Sequence, residues 1–226
     1  MKKEDFLKQI PLFQSLQVDD LGNLCDSIKT RSIRKGEILF HKGSEGTTLY
    51  IIKRGRIKIV LPSKDGDEVI LAIFSEKDFF GEMSLLDGTS RSADAVALEP
   101  CELLFLNRKD FLSFLKDNEN AVQAVLRSLS MRLRKTDDLL EDTCFLNISA
   151  RFAKKLVELS QDYGRQDGDY MLIDLDLKQK DLASMIGATR ESVNKELRVL
   201  REKGLISNAG NKIRIHNLEL LRRRMP

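Results

Sequence analysis

Residues Asp78 to Val96 read DFFGEMSLLDGTSRSADAV, and their side-chain types describe a site for a phosphate joined to a sugar. A buried monoanionic phosphate needs a fixed cation and several N–H donors. Arg91 offers a planar, permanently charged fork, and Ser92 adds a hydroxyl beside it. Upstream, Gly81 lets a backbone come close to a ligand, and Glu82-Met83-Ser84-Leu85-Leu86 is suited to a short helix whose free N–H groups face an anion. Ionised Glu82 can only accept hydrogen bonds, so its natural partner on a nucleotide is a ribose hydroxyl. The plainer alternative has Glu82 and Arg91 pairing with each other across a loop turned at Gly88, an arrangement worth little at a surface.

Around this stretch the chain reads as short β segments. Gly36 to Phe40, Thr48 to Ile52, Arg56 to Val60, Glu68 to Phe74, Ala93 to Leu98 and Glu102 to Leu106 are separated by turn signals at Lys42-Gly43, Arg54-Gly55 and Asp65-Gly66-Asp67. Many short strands at regular spacing imply a barrel-like or sandwich sheet. Before them, Lys3 to Ile10 and Val18 to Ile28 have helical apolar spacing. His41 beside its glycine turn is a lone histidine with no second haem-ligand candidate nearby.

After Asp110 the period becomes helical. Val122, Leu126, Leu129, Leu133, Thr136 and Leu140 are spaced alternately by four and three, a heptad seam narrow enough to predict packing against a second copy in a parallel homodimer. The alternative is an ordinary core helix packed on the sheet. Asn147 is placed to cap a further helix, Ile148 to Leu159, making Cys144 to Asn147 a hinge. Tyr163 to Asp169 follows as a polar loop or hairpin.

In Lys178 to Ile206, Leu182 and Ile186 give a first helix its inward face, Gly187 permits a tight turn, and Thr189 caps a second helix in which Val193, Leu197 and Leu200 point inward together. The opposite face carries Arg190, Glu191, Asn194, Lys195 and Arg198, the makings of a major-groove reader. Leu205 to Ile215, turning at Gly210-Asn211, alternates like a β wing. Arg222 to Arg224 reads equally as a solvated tail or a phosphate contact. Charge is concentrated here: Lys178 to Pro226 holds 12 Lys/Arg against 5 Asp/Glu, and the rest of the chain 26 against 30, which points this end toward a polyanion.

FGE, an apolar pair, a short loop and RSA together resemble the phosphate-binding cassette of cyclic-nucleotide-binding domains, and ATRESVNK resembles a recognition helix. Over nearly its full length the chain resembles bacterial regulators of the cyclic-AMP receptor protein (catabolite activator) family. The resemblance implies an α+β chain: a cyclic-nucleotide-binding β-roll over residues 1–115, a dimerisation helix and hinge over 116–146, and a winged helix-turn-helix over 147–226. It also implies nucleotide contacts from Gly81, Glu82, Met83, Ser84, Arg91 and Ser92, with Thr136 and Asp137 meeting the base. Asp137 departs from the best-known cyclic-AMP-binding member, which has a small hydroxyl residue there. A carboxylate accepts equally from adenine's amino group or from the N–H pair of guanine, so Asp137 leaves the base open; the resemblance puts cyclic AMP first and cyclic GMP second.

On the DNA side the resemblance implies contacts from Gln179, Thr189, Arg190, Glu191, Asn194 and Lys195. Arg190 would meet guanine O6 and N7, Glu191 a cytosine amino group, and Lys195 another guanine or a phosphate. The family commonly has arginine at that last position, and lysine lacks the planar fork. The partners implied are double-stranded DNA with a two-fold site, a second copy of the chain, and RNA polymerase.

Other classes fit less well. The 226 residues hold three scattered cysteines, Cys25, Cys101 and Cys144, which argues against a disulfide framework or a clustered metal site and fits a reducing cytoplasm. MKKEDF lacks an apolar segment of the secretory type, and Val69 to Phe74 is far short of the roughly 20 residues a membrane span needs. No nucleophile–base set or P-loop is present, which speaks against an enzyme. The remaining rival keeps the DNA reader and has it answer to redox or haem, or to no ligand.

Overall fold

A computed structural model describes residues 3–14, 16 and 24–225. The chain forms two compact units, residues 1–66 with 70–134, and residues 67–69 with 135–226.

The first unit opens on helix α1 (Lys3–Leu7), which ends three residues before the Ile10 limit expected from spacing; Ile10 is still buried, but in turns that follow the helix. The helical spacing at Val18 to Ile28 lies largely outside the described residues; 24–27 are helical. Eight strands follow: β1 (Lys29–Ile33), β2 (Ile38–Phe40), β3 (Thr48–Arg54), β4 (Ile57–Pro62), β5 (Glu68–Phe74), β6 (Phe79–Phe80), β7 (Asp94–Ala97) and β8 (Cys101–Asn107). Two four-stranded sheets result, in the orders β1-β8-β3-β6 and β2-β7-β4-β5, with β1–β8, β8–β3, β3–β6, β2–β7 and β7–β4 antiparallel.

Side chains that alternate along a strand divide the core in two. Leu49 and Ile51 of β3, Leu104 and Leu106 of β8 and Phe79 of β6 face a cluster with Phe6, Phe111 and Phe114 from helices and Phe13 from the turns after α1. Their neighbours Tyr50, Ile52, Leu103 and Phe80 face the opposite way, into a second cluster with Ile57, Ala95 and Ala97 from the other sheet. That second cluster is the interior of the roll. Between β6 and β7 stand helix α2 (Glu82–Asp87) and the loop carrying Arg91. Helix α3 (Arg108–Lys116) follows β8, capped where Asn107 Oδ1 accepts from the Asp110 N–H at 2.9 Å.

Helix α4 (Glu119–Phe145) is the long helix expected from the heptad seam. Its buried face, Ala121 and Val125, joins the helical side of the first core, with Leu129 partly buried against it. Leu126, Leu133 and Leu140 are 57%, 63% and 64% exposed.

In the second unit, helix α5 (Ile148–Tyr163) starts as expected, Asn147 Oδ1 accepting from the Ala150 N–H at 2.9 Å, and runs four residues beyond Leu159. The polar segment after it is a hairpin, β9 (Gly164–Asp167) and β10 (Tyr170–Ile173). Helices α6 (Gln179–Met185) and α7 (Arg190–Glu202) come next, then β11 (Ile206–Ala209), β12 (Lys212–Ile215) and α8 (Leu218–Arg222). The wing is therefore part of a sheet ordered β11-β12-β10-β9. Among the described residues no helix is long and apolar enough to cross a membrane.

Candidate functional site

Helix α2 begins at Gly81, whose φ of 83° lies in the left-handed region where glycine is at ease. A Cβ there would also stand 2.6 Å from Arg91 Nη1. The helix ends at Gly88, whose N–H donates to the Ser84 carbonyl at 3.2 Å, and Asp87 closes the next turn by accepting from the Thr89 N–H and hydroxyl, both at 2.9 Å. Those hydrogen bonds hold the Asp87 carboxyl below its ordinary range. The chain thus returns to bring Arg91 under the start of α2.

Arg91 is 4% exposed. Its Nη1 donates to the Gly81 carbonyl at 2.7 Å and to Ser84 Oγ at 3.0 Å, and its Nη2 donates to the Thr48 carbonyl at 2.6 Å. Its guanidinium carbon lies 4.3 Å from the centre of the Phe40 ring. No carboxylate among the described residues forms an ion pair with it. Burial pushes its pKa down, against the opposing influence of Tyr50 and Glu82. A guanidinium has five N–H donors. Three are engaged, Nε is buried without a partner, and Nη2 keeps one hydrogen. Nε and Nη2 form one edge of the guanidinium plane, and such an edge grips two oxygens of a phosphate.

Glu82 is 1% exposed and does not pair with Arg91, so the plain cross-loop ion pair is absent. Its Oε1 instead accepts from Arg132 Nη1 at 2.5 Å, and its Oε2 is buried with no partner. Arg132, on α4, also donates to the Phe79 carbonyl and lies over the Phe74 ring at 4.4 Å. An unpaired buried polar atom costs about 1–3 kcal/mol. Of the four such side-chain atoms in the described residues, two are Glu82 Oε2 and Arg91 Nε. One is an acceptor on an anion and the other a donor on a cation. A ligand that satisfies both carries a hydroxyl and an anionic oxygen, as a ribose phosphate does.

The structure gathers Gly81, Glu82, Met83, Ser84, Arg91 and Ser92 in one cassette. Met83 is exposed, with the Ser92 hydroxyl 3.7 Å from its sulfur. Ser84 is buried and its hydroxyl is turned to Arg91. Thr136 and Asp137 are exposed on the part of α4 that belongs to the second unit. Arg132 was not among the expected residues. Its position four residues before Thr136, about one helical turn away on the same face, was the available signal. His41 is exposed, its Nδ1 3.4 Å from Asp94 Oδ2.

In the second unit α6, a turn at Gly187 (φ 58°) and α7 form the helix-turn-helix. Thr189 is its cap, accepting from the Ser192 N–H at 3.2 Å. Val193, Leu197 and Leu200 are buried as expected, and Arg190, Glu191, Lys195 and Arg198 are exposed. Gln179, half-buried at the start of α6, accepts from Arg190 Nε at 3.5 Å. Asn194 differs from the expected open face: it is half-buried, and its Oδ1 is buried without a partner. Arg224 is neither frayed nor free, since it donates to Ser149 Oγ at 2.9 Å and stands 3.9 Å from Glu196.

Comparison with known proteins matches two family models to this chain. Residues 30–118 match the cyclic nucleotide-binding domain and residues 150–224 the Crp-like helix-turn-helix domain. The chain is 32% identical over 221 residues to the CRP-like cAMP-activated global transcriptional regulator of Mycobacterium tuberculosis, covering 98% of this chain and 99% of that one. This chain belongs to the family of Crp-like transcription regulators. Within the family it is also 33% identical to the anaerobic regulatory protein of Bacillus subtilis, over 96% of this chain and 93% of the relative. Its fold is shared with the c-di-GMP responsive global regulator CLP of Xanthomonas campestris, with a TM-score of 0.79 at 22% identity over 89% of this chain and all of the other. A Crp-like regulator binds DNA through its helix-turn-helix and carries a cyclic-nucleotide-binding domain, and the family consists of transcription regulators rather than enzymes.

Proposed function

We propose that the first unit binds a cyclic mononucleotide, cyclic AMP before cyclic GMP, and that binding raises the affinity of the helix-turn-helix for a two-fold DNA site. The observation that carries this reading is the pair of buried, unpartnered atoms of opposite character, Arg91 Nε and Glu82 Oε2. A cyclic phosphate on the Nε–Nη2 edge of Arg91 compensates a buried cation that has no carboxylate partner. A ribose 2′-hydroxyl on Glu82 Oε2 completes the carboxylate already held by Arg132. The cAMP-activated relative from Mycobacterium tuberculosis, similar over nearly the whole chain, supports adenine as the first choice of base. Thr136 and Asp137 are the residues we assign to the base.

The working form is a homodimer. Val122, Leu126, Leu133 and Leu140 line one stripe of α4 and are exposed, and a second α4 is the surface that heptad spacing fits. In the dimer Arg190, Glu191 and Lys195 read base edges in successive major grooves about 34–36 Å apart, Thr189 and Gln179 hold the start of the reader in place, and RNA polymerase is the further partner. A ligand shifts such an equilibrium only by its differential affinity for the two arrangements, so the nucleotide binds the DNA-competent dimer more tightly. Fluorescence anisotropy of a labelled two-fold site tests this: affinity rises when cyclic AMP is added. Equal affinity with and without cyclic AMP and cyclic GMP overturns the reading.

A further inference from the structure

The loop before β3 lies across the cassette and is tied to it by backbone. The Gly43 N–H donates to the Arg91 carbonyl at 2.8 Å, the Arg91 N–H to the Ser44 carbonyl at 2.9 Å, and the Lys42 N–H to Asp94 Oδ1 at 2.6 Å. Three residues on, a Cβ at Gly46 would stand 2.0 Å from Ser84 Oγ, 2.3 Å from Ser84 Cβ and 3.3 Å from Arg91 Cδ. Turning the Ser84 side chain moves its Oγ but leaves its Cβ where the backbone puts it, so rotation cannot relieve the contact. Gly46 is not among the positive-φ glycines, so it is needed for space and not for its backbone angle.

The space is filled by the hydroxyl that holds the ligand-binding arginine. Ser84 is 4% exposed, and its Oγ accepts from Arg91 Nη1 and stands 3.4 Å from the Gly81 carbonyl. Together with the Gly81 carbonyl it occupies both hydrogens of Nη1, and Thr48 occupies one of Nη2. The guanidinium plane is thereby fixed from one side, with the Nε–Nη2 edge left over.

We infer that Gly46 and Ser84 are a complementary pair of positioning residues for Arg91: the absent side chain at 46 admits the Ser84 hydroxyl, and that hydroxyl sets the orientation of the guanidinium edge that receives phosphate. This rests on the nucleotide reading above, and deepens it by naming residues that need not touch the ligand. A substitution at 46 then acts on ligand affinity through Ser84 and is repaired at Ser84.

The test is a set of variants, Gly46→Ala, Ser84→Ala, Ser84→Gly and the double Gly46→Ala/Ser84→Gly, in the full-length protein. Two quantities are read: calorimetric affinity for cyclic AMP, and the position of the Arg91 Nε–H resonance in ligand-free protein, identified by its loss in Arg91→Lys. Removing one hydrogen bond to a charged group, Ser84→Ala and Ser84→Gly weaken binding by about tenfold. Gly46→Ala weakens it clearly further than Ser84→Gly does and moves the resonance. The double variant, whose new methyl enters the space Ser84 has left, returns to the Ser84→Gly level. Gly46→Ala binding within about threefold of the unmutated protein, or a double variant no better than Gly46→Ala, overturns the pairing. If the unmutated protein binds no cyclic mononucleotide, the nucleotide reading has failed, and the resonance series alone decides the pair: displacement in Gly46→Ala that is reversed in the double supports it, and an unmoved resonance rejects it. Ser84→Ala introduces no clash, so it serves where Gly46→Ala does not fold.

Discussion

Replacing Arg91 separates the two parts this residue plays. In Arg91→Leu the ligand loses a two-point, charge-assisted contact, at about 1.5–3 kcal/mol for each hydrogen bond. The expected loss is about 3–6 kcal/mol, or roughly two to four powers of ten in affinity. Stability responds differently, because two effects oppose. The carbonyls of Thr48 and Gly81 lose their donor, each at about 1–3 kcal/mol. Against this, a buried cation with no carboxylate partner is removed, and its desolvation, already visible as a lowered pKa, goes with it. The net change in unfolding free energy is therefore much smaller than the change in binding. Arg91→Lys keeps the charge but not the planar fork, so it falls between the two. Calorimetric titration with cyclic AMP beside urea unfolding of the same preparations checks both quantities. Binding by Arg91→Leu within about threefold of the unmutated protein refutes the phosphate contact, and a loss of stability as large as the loss of binding shows that Arg91 serves the fold instead.

Arg132→Ala leaves the buried Glu82 without its cation. The cost in urea unfolding is about 1–3 kcal/mol, below the 3–5 of a fully buried pair because the Arg132 side chain is 24% exposed. Combining it with Glu82→Ala gives less than the sum of the single changes, and strict additivity would show that the pair is not coupled. Arg190→Ala costs about 1–3 kcal/mol at one base pair of the DNA site with no change in melting temperature; an equal loss on every sequence would mark it as a phosphate contact. Leu133→Glu puts a charge into the exposed stripe of α4 and is expected to convert the proposed dimer to monomer in analytical ultracentrifugation, whereas an unchanged mass overturns that stripe as a dimer contact.

The cassette is readable in sequence because its chemistry lies within one short run. Arg91, Ser84 and Gly81 are brought together by a six-residue helix and a loop, so local turn residues carry most of the information. Arg132 is not readable that way, since its partner Glu82 is 50 residues distant and the meeting depends on where α4 lies against the roll. Gly46 reads as an ordinary turn glycine, and only the approach of Ser84 shows what it makes room for. Strands built from runs of buried apolar side chains, such as β3 and β8, were legible as strands, with their ends shifted by a residue or two. β1 was not, because Lys29 to Ser32 are all exposed and carry no alternation, and β6 is only two residues long. In the second unit the apolar positions of α7 and the caps at Asn147 and Thr189 followed from local rules. The half-burial of Asn194 and the tie from Arg224 to Ser149 and Glu196 depend on how α5, α7 and α8 pack, which spacing alone does not express.

Arg91 and Glu82 are proposed to receive a cyclic mononucleotide. Calorimetric titration of the unmutated protein with cyclic AMP, cyclic GMP and cyclic di-GMP tests this most directly. Saturable binding of a cyclic mononucleotide at one site per chain, with cyclic AMP preferred, is the expected result. Binding of the dinucleotide alone, or no heat from any of the three, contradicts it.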